Sequence, residues 1–144
     1  MLKVNKVSEY GVLALGFISQ KHEPQSATEV ATGLNVPYEI TAKTLQKLKE
    51  AGFLTSTKGI NGGYKLSQSL SDISIGQVID AFEGPLSIVD CNSTEKHKEC
   101  VRQSCCEIKT GMEKVNQKVR EVLSSMKLNE LLATSSLPKE SAVK

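Results

Sequence analysis

A mainly helical fold that carries one small β-hairpin and ends in a long helix is the class this 144-residue sequence predicts. Three observations predict it. Apolar residues recur at helical spacing through residues 8 to 51, with capping and stop signals between the runs. A glycine-rich turn at 59–63 separates two short stretches of strand character. From Ile108 to Met126 apolar residues fall at alternating intervals of four and three.

The elements follow in chain order. Ser8 offers an N-cap and Glu9 an acid in the first turn, and Tyr10, Leu13, Ala14, Phe17 and Ile18 form the apolar face of a helix over 8–20. Ser26-Ala27-Thr28-Glu29 is a capping box, in which the serine hydroxyl and the glutamate side chain each satisfy the other's backbone donor. This second helix is expected to stop at Gly33. After the turn Leu34-Asn35-Val36, Pro37 supplies a pre-set first helical position, and Ile40, Thr44, Leu45, Leu48 and Ala51 give a stripe that ends at Gly52. Phe53-Leu54-Thr55-Ser56-Thr57 and Tyr64-Lys65-Leu66-Ser67 flank Gly59-Ile60-Asn61-Gly62-Gly63, which reads as a hairpin. A short helix over residues 73–82 closes at Glu83-Gly84-Pro85.

Two helices joined by so tight a turn form a helix-turn-helix, whose second helix lays its N-terminal residues along base edges in the major groove. The hairpin that follows is then a wing, placed to meet a minor groove or the phosphate backbone. With Ile40, Leu45 and Leu48 assigned to the interior, the groove-facing set is Tyr38, Glu39, Thr41, Ala42 and Lys43, with Lys47 for phosphate. Thr28 on the preceding helix and Lys58, Asn61 and Gly62 of the wing complete it.

Composition narrows the partners. Aromatic residues make up 4% of the chain and tryptophan is absent, so aromatic-lined cofactor pockets and base-stacking platforms for single strands are poorly supplied. Double-stranded DNA stays open. Residues 1–68 carry 8 lysines and 5 carboxylates, net +3, whereas the rest carries 10 basic and 11 acidic residues, net −1. The first residues lead into only a seven-residue apolar run, Val12 to Ile18, too short for a signal peptide or a membrane span. A cytoplasmic chain is expected, with no membrane partner and no small-molecule substrate.

Four cysteines occur within 16 residues, at 91, 100, 105 and 106. Where thiols are kept reduced, such a group binds metal, switches by oxidation or is inert. The spacings lack the C-x2-C knuckle of common zinc sites, yet thiolates on an adaptable loop suit zinc or an iron-sulfur cluster. His97 lies between two of them and is a further possible ligand. A thiol oxidoreductase using Cys105-Cys106 would need an activating helix N-terminus or a βαβ context, and neither is legible. No enzyme is expected. Behind the cysteines, Ile108, Met112, Val115, Val119, Val122 and Met126 form a heptad seam of under three repeats, suited to packing against a second copy or back onto its own domain.

Taken together, these pieces resemble the family of bacterial winged-helix regulators typified by IscR, NsrR, RirA and CymR, over nearly the whole chain. The resemblance rests on Ser8-Glu9-Tyr10-Gly11, on Leu48-Lys49-Glu50-Ala51-Gly52-Phe53-Leu54, on the wing from Lys58 to Leu66, and on Ile75-Gly76-Gln77-Val78-Ile79 followed by the cysteines. It implies a homodimeric transcription factor on a two-fold DNA operator, with an iron-sulfur cluster of 2Fe-2S or 4Fe-4S type that alters DNA affinity. By resemblance Cys91, Cys100 and Cys106 match the family's ligand triplet, with Cys105 an extra thiol or the alternative to Cys106. Some members add a histidine where this chain has Lys109. Others use an N-terminal carboxylate from the partner subunit, and Glu9 holds that position here. The opening ten residues look most like members that regulate iron-sulfur cluster assembly operons; nitric-oxide-sensing members share the triplet and the carboxylate. The implied organisation is a winged helix-turn-helix over 1–84, a cluster-binding loop over 85–107, a dimerisation helix and short terminal helix over 108–132, and a disordered tail over 133–144.

Overall fold

The computed structural model describes residues 3–92 and 100–133. Helix α1 spans Lys6–Ser19 and is capped by Asn5, whose side chain accepts from the Val7 N–H. This corrects the expected start at Ser8, which lies inside the first turn and is fully buried. Ser8 shares the inward arc with Val12 and Leu15, so tertiary packing outweighs its preference for a cap. The buried arc is correspondingly different from the expected one. Gly11, Val12, Ala14, Leu15 and Ile18 are buried while Leu13 is exposed, because α1 is enclosed by several neighbours and only a narrow outer arc remains.

Helix α2, Ala27–Leu34, has the expected capping box at Ser26 and Glu29. It runs past Gly33 and ends on Asn35, which takes the left-handed conformation at φ 53°. Gly33 serves packing instead: a Cβ there would stand 2.2 Å from the Phe17 ring. Pro37 is the N-cap of α3, Tyr38–Glu50, and not its first residue. Strands β1, Leu54–Thr57, and β2, Gly63–Leu66, pair antiparallel with Leu54 opposite Leu66 and Thr57 opposite Gly63. Gln25 adds a further rung to β2, exchanging two backbone hydrogen bonds with Tyr64 at 2.9 and 2.7 Å. Gly63, at φ 149°, permits this approach, since a Cβ would meet the Gln25 backbone at 2.5 Å.

Helix α4, Ile75–Glu83, opens with a second capping box at Ser74 and Gln77. A single 3-10 turn at Asp90–Asn92 precedes the long helix α5, Lys109–Ser125, and the short helix α6, Leu128–Ala133. One core unites these elements: Leu15, Val30, Leu45, Leu48, Ile73, Val78 and Leu128 are fully buried. Leu128 enters it because the α5–α6 connection pairs with the start of α4. The Leu128 N–H bonds Ile73 O at 2.9 Å, and the Ile75 N–H bonds Met126 O at 3.0 Å. Helix α5 itself contains no buried residue. It lies across α4 at Gly76, whose missing side chain lets the Leu123 backbone come close. Among the described residues no helix is long and apolar enough to cross a membrane. The tail from residue 134 onward lies outside the described residues.

Candidate nucleic-acid interface and cysteine cavity

The inward stripe of α3 is Thr41, Thr44, Leu45 and Leu48, spaced i, i+3, i+4 and i+7. Thr41 is 3% exposed, and its hydroxyl donates to Pro37 O at 3.1 Å; the Thr44 hydroxyl donates to Ile40 O at 2.8 Å. Because each hydroxyl is satisfied one turn back along the helix, threonine is tolerated in the interior. This corrects two expectations at once. Thr41 is not groove-facing, and Ile40 is not interior but 38% exposed on the outer face. The 41, 44/45, 48 spacing carried that signal. It was masked by reading threonine as polar and isoleucine as core.

Tyr38, Glu39 and Lys43 are exposed on the outer face of α3, Ala42 is half-buried at its edge, and Thr28 is exposed on α2. Pro37 offers no side chain to cap α3, so the first backbone N–H groups of this helix are left to other acceptors such as phosphate oxygens. In the wing, Lys58 and Asn61 are exposed, Ile60 is fully exposed and Gly62 is half-buried. The turn is tight: the Gly62 N–H donates to Gly59 O at 3.0 Å, and a Cβ on Gly62 would meet Thr57 O at 2.3 Å. A helix with free N-terminal donors beside a rigid, lysine-bearing hairpin can meet a groove and its flanking phosphates together. Lys47 stands apart from this set. Its Nζ donates to Phe82 O at 3.2 Å and lies 5.5 Å from the centre of the Phe82 ring.

The cysteines gather at the start of α5. Cys91, on the 3-10 turn, and Cys106 are half-buried, whereas Cys100 and Cys105 are exposed; all four are free thiols. Between Cys100 and Cys106 two successive turns form, with the Gln103 N–H bonding Cys100 O and the Cys105 N–H bonding Arg102 O, each at 3.0 Å. Cys91, Cys100 and Cys106 line one cavity of about 440 Å³, walled by Val89, Ile108 and Met112 and flanked by Asp90 and Lys109. Cys105 is not among its lining residues. Among the described residues no three His, Cys, Asp or Glu side chains converge on a single ion. Three thiols at an apolar-walled space supply soft donors of the kind that both zinc and iron-sulfur groups take. Glu9 is outside the cavity, exposed on α1 and paired with Lys6 at 2.7 Å. That hydrogen bond and the carboxylate charge raise the Lys6 pKa above 10.5. His97 lies outside the described residues.

The seam of α5 faces outward. Ile108 is 66% and Val122 64% exposed, Val115 and Met126 are also exposed, and Met112 and Val119 are half-buried.

A model of the Rrf2 family, described as an iron-dependent transcriptional regulator, matches residues 4–134. The protein Rrf2 of Nitratidesulfovibrio vulgaris is 28% identical over 138 residues, covering 94% of this chain and 91% of that protein. Among solved structures, CymR, the global cysteine regulator of B. subtilis, is 26% identical with a TM-score of 0.71, covering 94% of this chain and 99% of its own. T. potens IscR is 28% identical with a TM-score of 0.67, covering 92% and 88%. With helix, turn, helix and wing in place and the family match spanning nearly its whole length, the chain belongs to the Rrf2 family of winged-helix transcriptional regulators.

Proposed function

We propose that this regulator works as a homodimer on a two-fold DNA operator and that Cys91, Cys100 and Cys106 hold an iron-sulfur cluster whose presence sets operator affinity. One observation carries the reading: of the four cysteines, those three line a common cavity and Cys105 does not. A bound cluster supplies thiolate-ligated iron that responds to iron supply, oxidants or nitric oxide. The residues do the rest. Val89, Ile108 and Met112 supply the apolar wall beside the thiols, and Lys109 brings positive charge to an anionic donor set. Glu9 of the partner subunit is the proposed fourth ligand, which requires it to exchange the exposed Lys6 pair for iron. Tyr38, Glu39, Ala42 and Lys43 of α3 read the major groove, with Thr28, Lys58, Asn61 and Gly62 along its phosphates and the adjacent minor groove. Control of iron-sulfur cluster assembly genes is the proposed output, in line with the resemblance of the opening ten residues to members that regulate such operons.

Anaerobic purification followed by an absorption spectrum and iron and sulfide assays tests this. The Cys91→Ala, Cys100→Ala, Cys106→Ala triple variant should be colourless and Cys105→Ala coloured; a chromophore that survives the triple substitution rejects the ligand set. Cys105, exposed and adjacent to Cys106, favours a second reading as a thiol switch, to which a folded, iron-free wild-type protein would point. Zinc in that protein would instead indicate a structural metal, and neither iron nor zinc together with inert thiols would indicate control by a partner protein.

A further inference from the structure

We propose that Glu83 and Lys47 are positioning residues that carry the state of the cysteine segment to α3. The inference rests on the DNA-reading role of α3 and not on what the cysteines hold.

Helix α4 ends at Glu83, where Gly84 at φ 80° turns the chain into the segment that reaches Cys91. Both other helices that matter are fastened to that last turn. Glu83 Oε1 accepts from the Asn5 N–H at 2.7 Å and from the Ser8 hydroxyl at 2.6 Å, holding the first turn of α1. Ser8 is fully buried, so within the described residues its hydroxyl depends on this carboxylate. Phe82 seats its ring where Gly11 has no side chain; a Cβ there would stand 2.5 Å from the ring. From α3, Lys47 caps the C-terminal end of α4 at Phe82 O and covers the same ring. Lys47 is one turn from Lys43 along α3, so its stem is rigidly related to the groove-facing end of that helix.

The segment is tied partway along, between Glu83 and Cys91. The Ile88 N–H donates to Asn116 Oδ1 at 3.0 Å, which couples it to α5, whose first residue Lys109 donates its N–H to Cys106 O. Movement at Cys91, or at Cys106 and the start of α5, therefore reaches the α4 terminus through Ile88. Any displacement at the α4 terminus pulls on the Lys47 and Glu83 contacts. Glu83→Gln keeps an acceptor but removes the charge that grips two donors, and Lys47→Gln shortens the side chain and removes the cation that meets the Phe82 carbonyl and ring. Lys47→Arg preserves both the cap and the ring contact.

The experiment is amide hydrogen exchange on the full chain before and after alkylation of the thiols with iodoacetamide, repeated with iron and sulfide as the probe. In the wild type, alkylation should change exchange across residues 38–50 by about fivefold, the lower end of ordinary coupling between two sites. In the Glu83→Gln, Lys47→Gln double variant that change should fall below about twofold, with Lys47→Arg restoring it when paired with native Glu83. Exchange in residues 54–66 serves as the control for intact folding. The proposal is overturned if the wild-type α3 does not respond to alkylation, or if its response persists in the double variant. A chain that takes up no iron ends the cluster reading and leaves the alkylation result to decide this one.

Discussion

The winged reader and the α5 helix behind it are built on opposite terms. In the reader, α2 and α4 both start with reciprocal capping boxes, the hairpin is pinned by Gln25, and Leu15, Leu45 and Leu48 are sealed from water. Helix α5 follows Ile108, which gives it no side-chain cap, buries none of its 17 residues within this chain, and presents Val115 and Val122 outward with Ile108 and Met126 exposed at its two ends. The reader is stabilised within one chain. An apolar helical face left open by its own fold gains stability from a second surface, and in the proposed homodimer a two-fold arrangement of this seam would supply one.

Four variants separate the two regimes, and they are ordered by expected effect. Leu15→Ala removes packing from the fully buried centre and should lower unfolding stability by about 2–5 kcal/mol, seen as a lower urea midpoint at unchanged slope. A loss below about 0.5 kcal/mol, typical of surface positions, would mean that this centre is not the core of the reader. Val115→Asp with Val122→Asp leaves the reader intact by circular dichroism but should weaken the dimer at least about a hundredfold, since like charges set across an interface cost several kcal/mol. Sedimentation equilibrium measures it, and an unchanged dimer would place the interface elsewhere. Gly63→Ala forces a side chain onto a left-handed position against the Gln25 backbone and should cost at least about 1–3 kcal/mol while loosening the hairpin, read by amide exchange in β1 and β2.

The smallest effect is at the cap of α2. Ser26→Ala should cost about 1 kcal/mol. The Ser26 backbone N–H and then its hydroxyl hold the Glu29 carboxyl below its usual value of 4.5. A depressed carboxyl stabilises the fold fully above its unfolded value, and that contribution is lost as pH falls through the lower folded value. Titration by NMR should find Glu29 moving upward only in part in Ser26→Ala, because the backbone N–H of residue 26 remains; no movement would mean that the hydroxyl does not act on the carboxyl.

Much of the reader was legible because its signals are local. The Ser26 box, the glycine turn of the wing and the heptad spacing of α5 each lie within a few residues of what they specify. The Ser74-Ile75-Gly76-Gln77 box was equally local, yet the apolar Ile73 before it drew the helix start two residues early. At Ser8 and Thr41 the local rule is valid but outvoted: each faces the interior, and each finds a partner through the fold or the helix backbone. The cysteine spacing carried the chemistry of the segment without its geometry, since which thiols share a cavity depends on two turns between Cys100 and Cys106 and on where α5 begins.

By itself, then, the sequence determined the order of helices and hairpin, the heptad spacing of α5 and the soft-ligand character of residues 91–106, because capping, periodicity and side-chain chemistry act over short stretches of chain. Only the tertiary structure decided that the seam of α5 is left open to the outside, that Cys105 stands apart from the other three thiols, and that Lys47 and Glu83 both hold the end of α4, one through the Phe82 carbonyl and the other through Asn5 and Ser8. Those outcomes depend on groups as many as 78 residues apart, whose meeting is set by how the whole core packs.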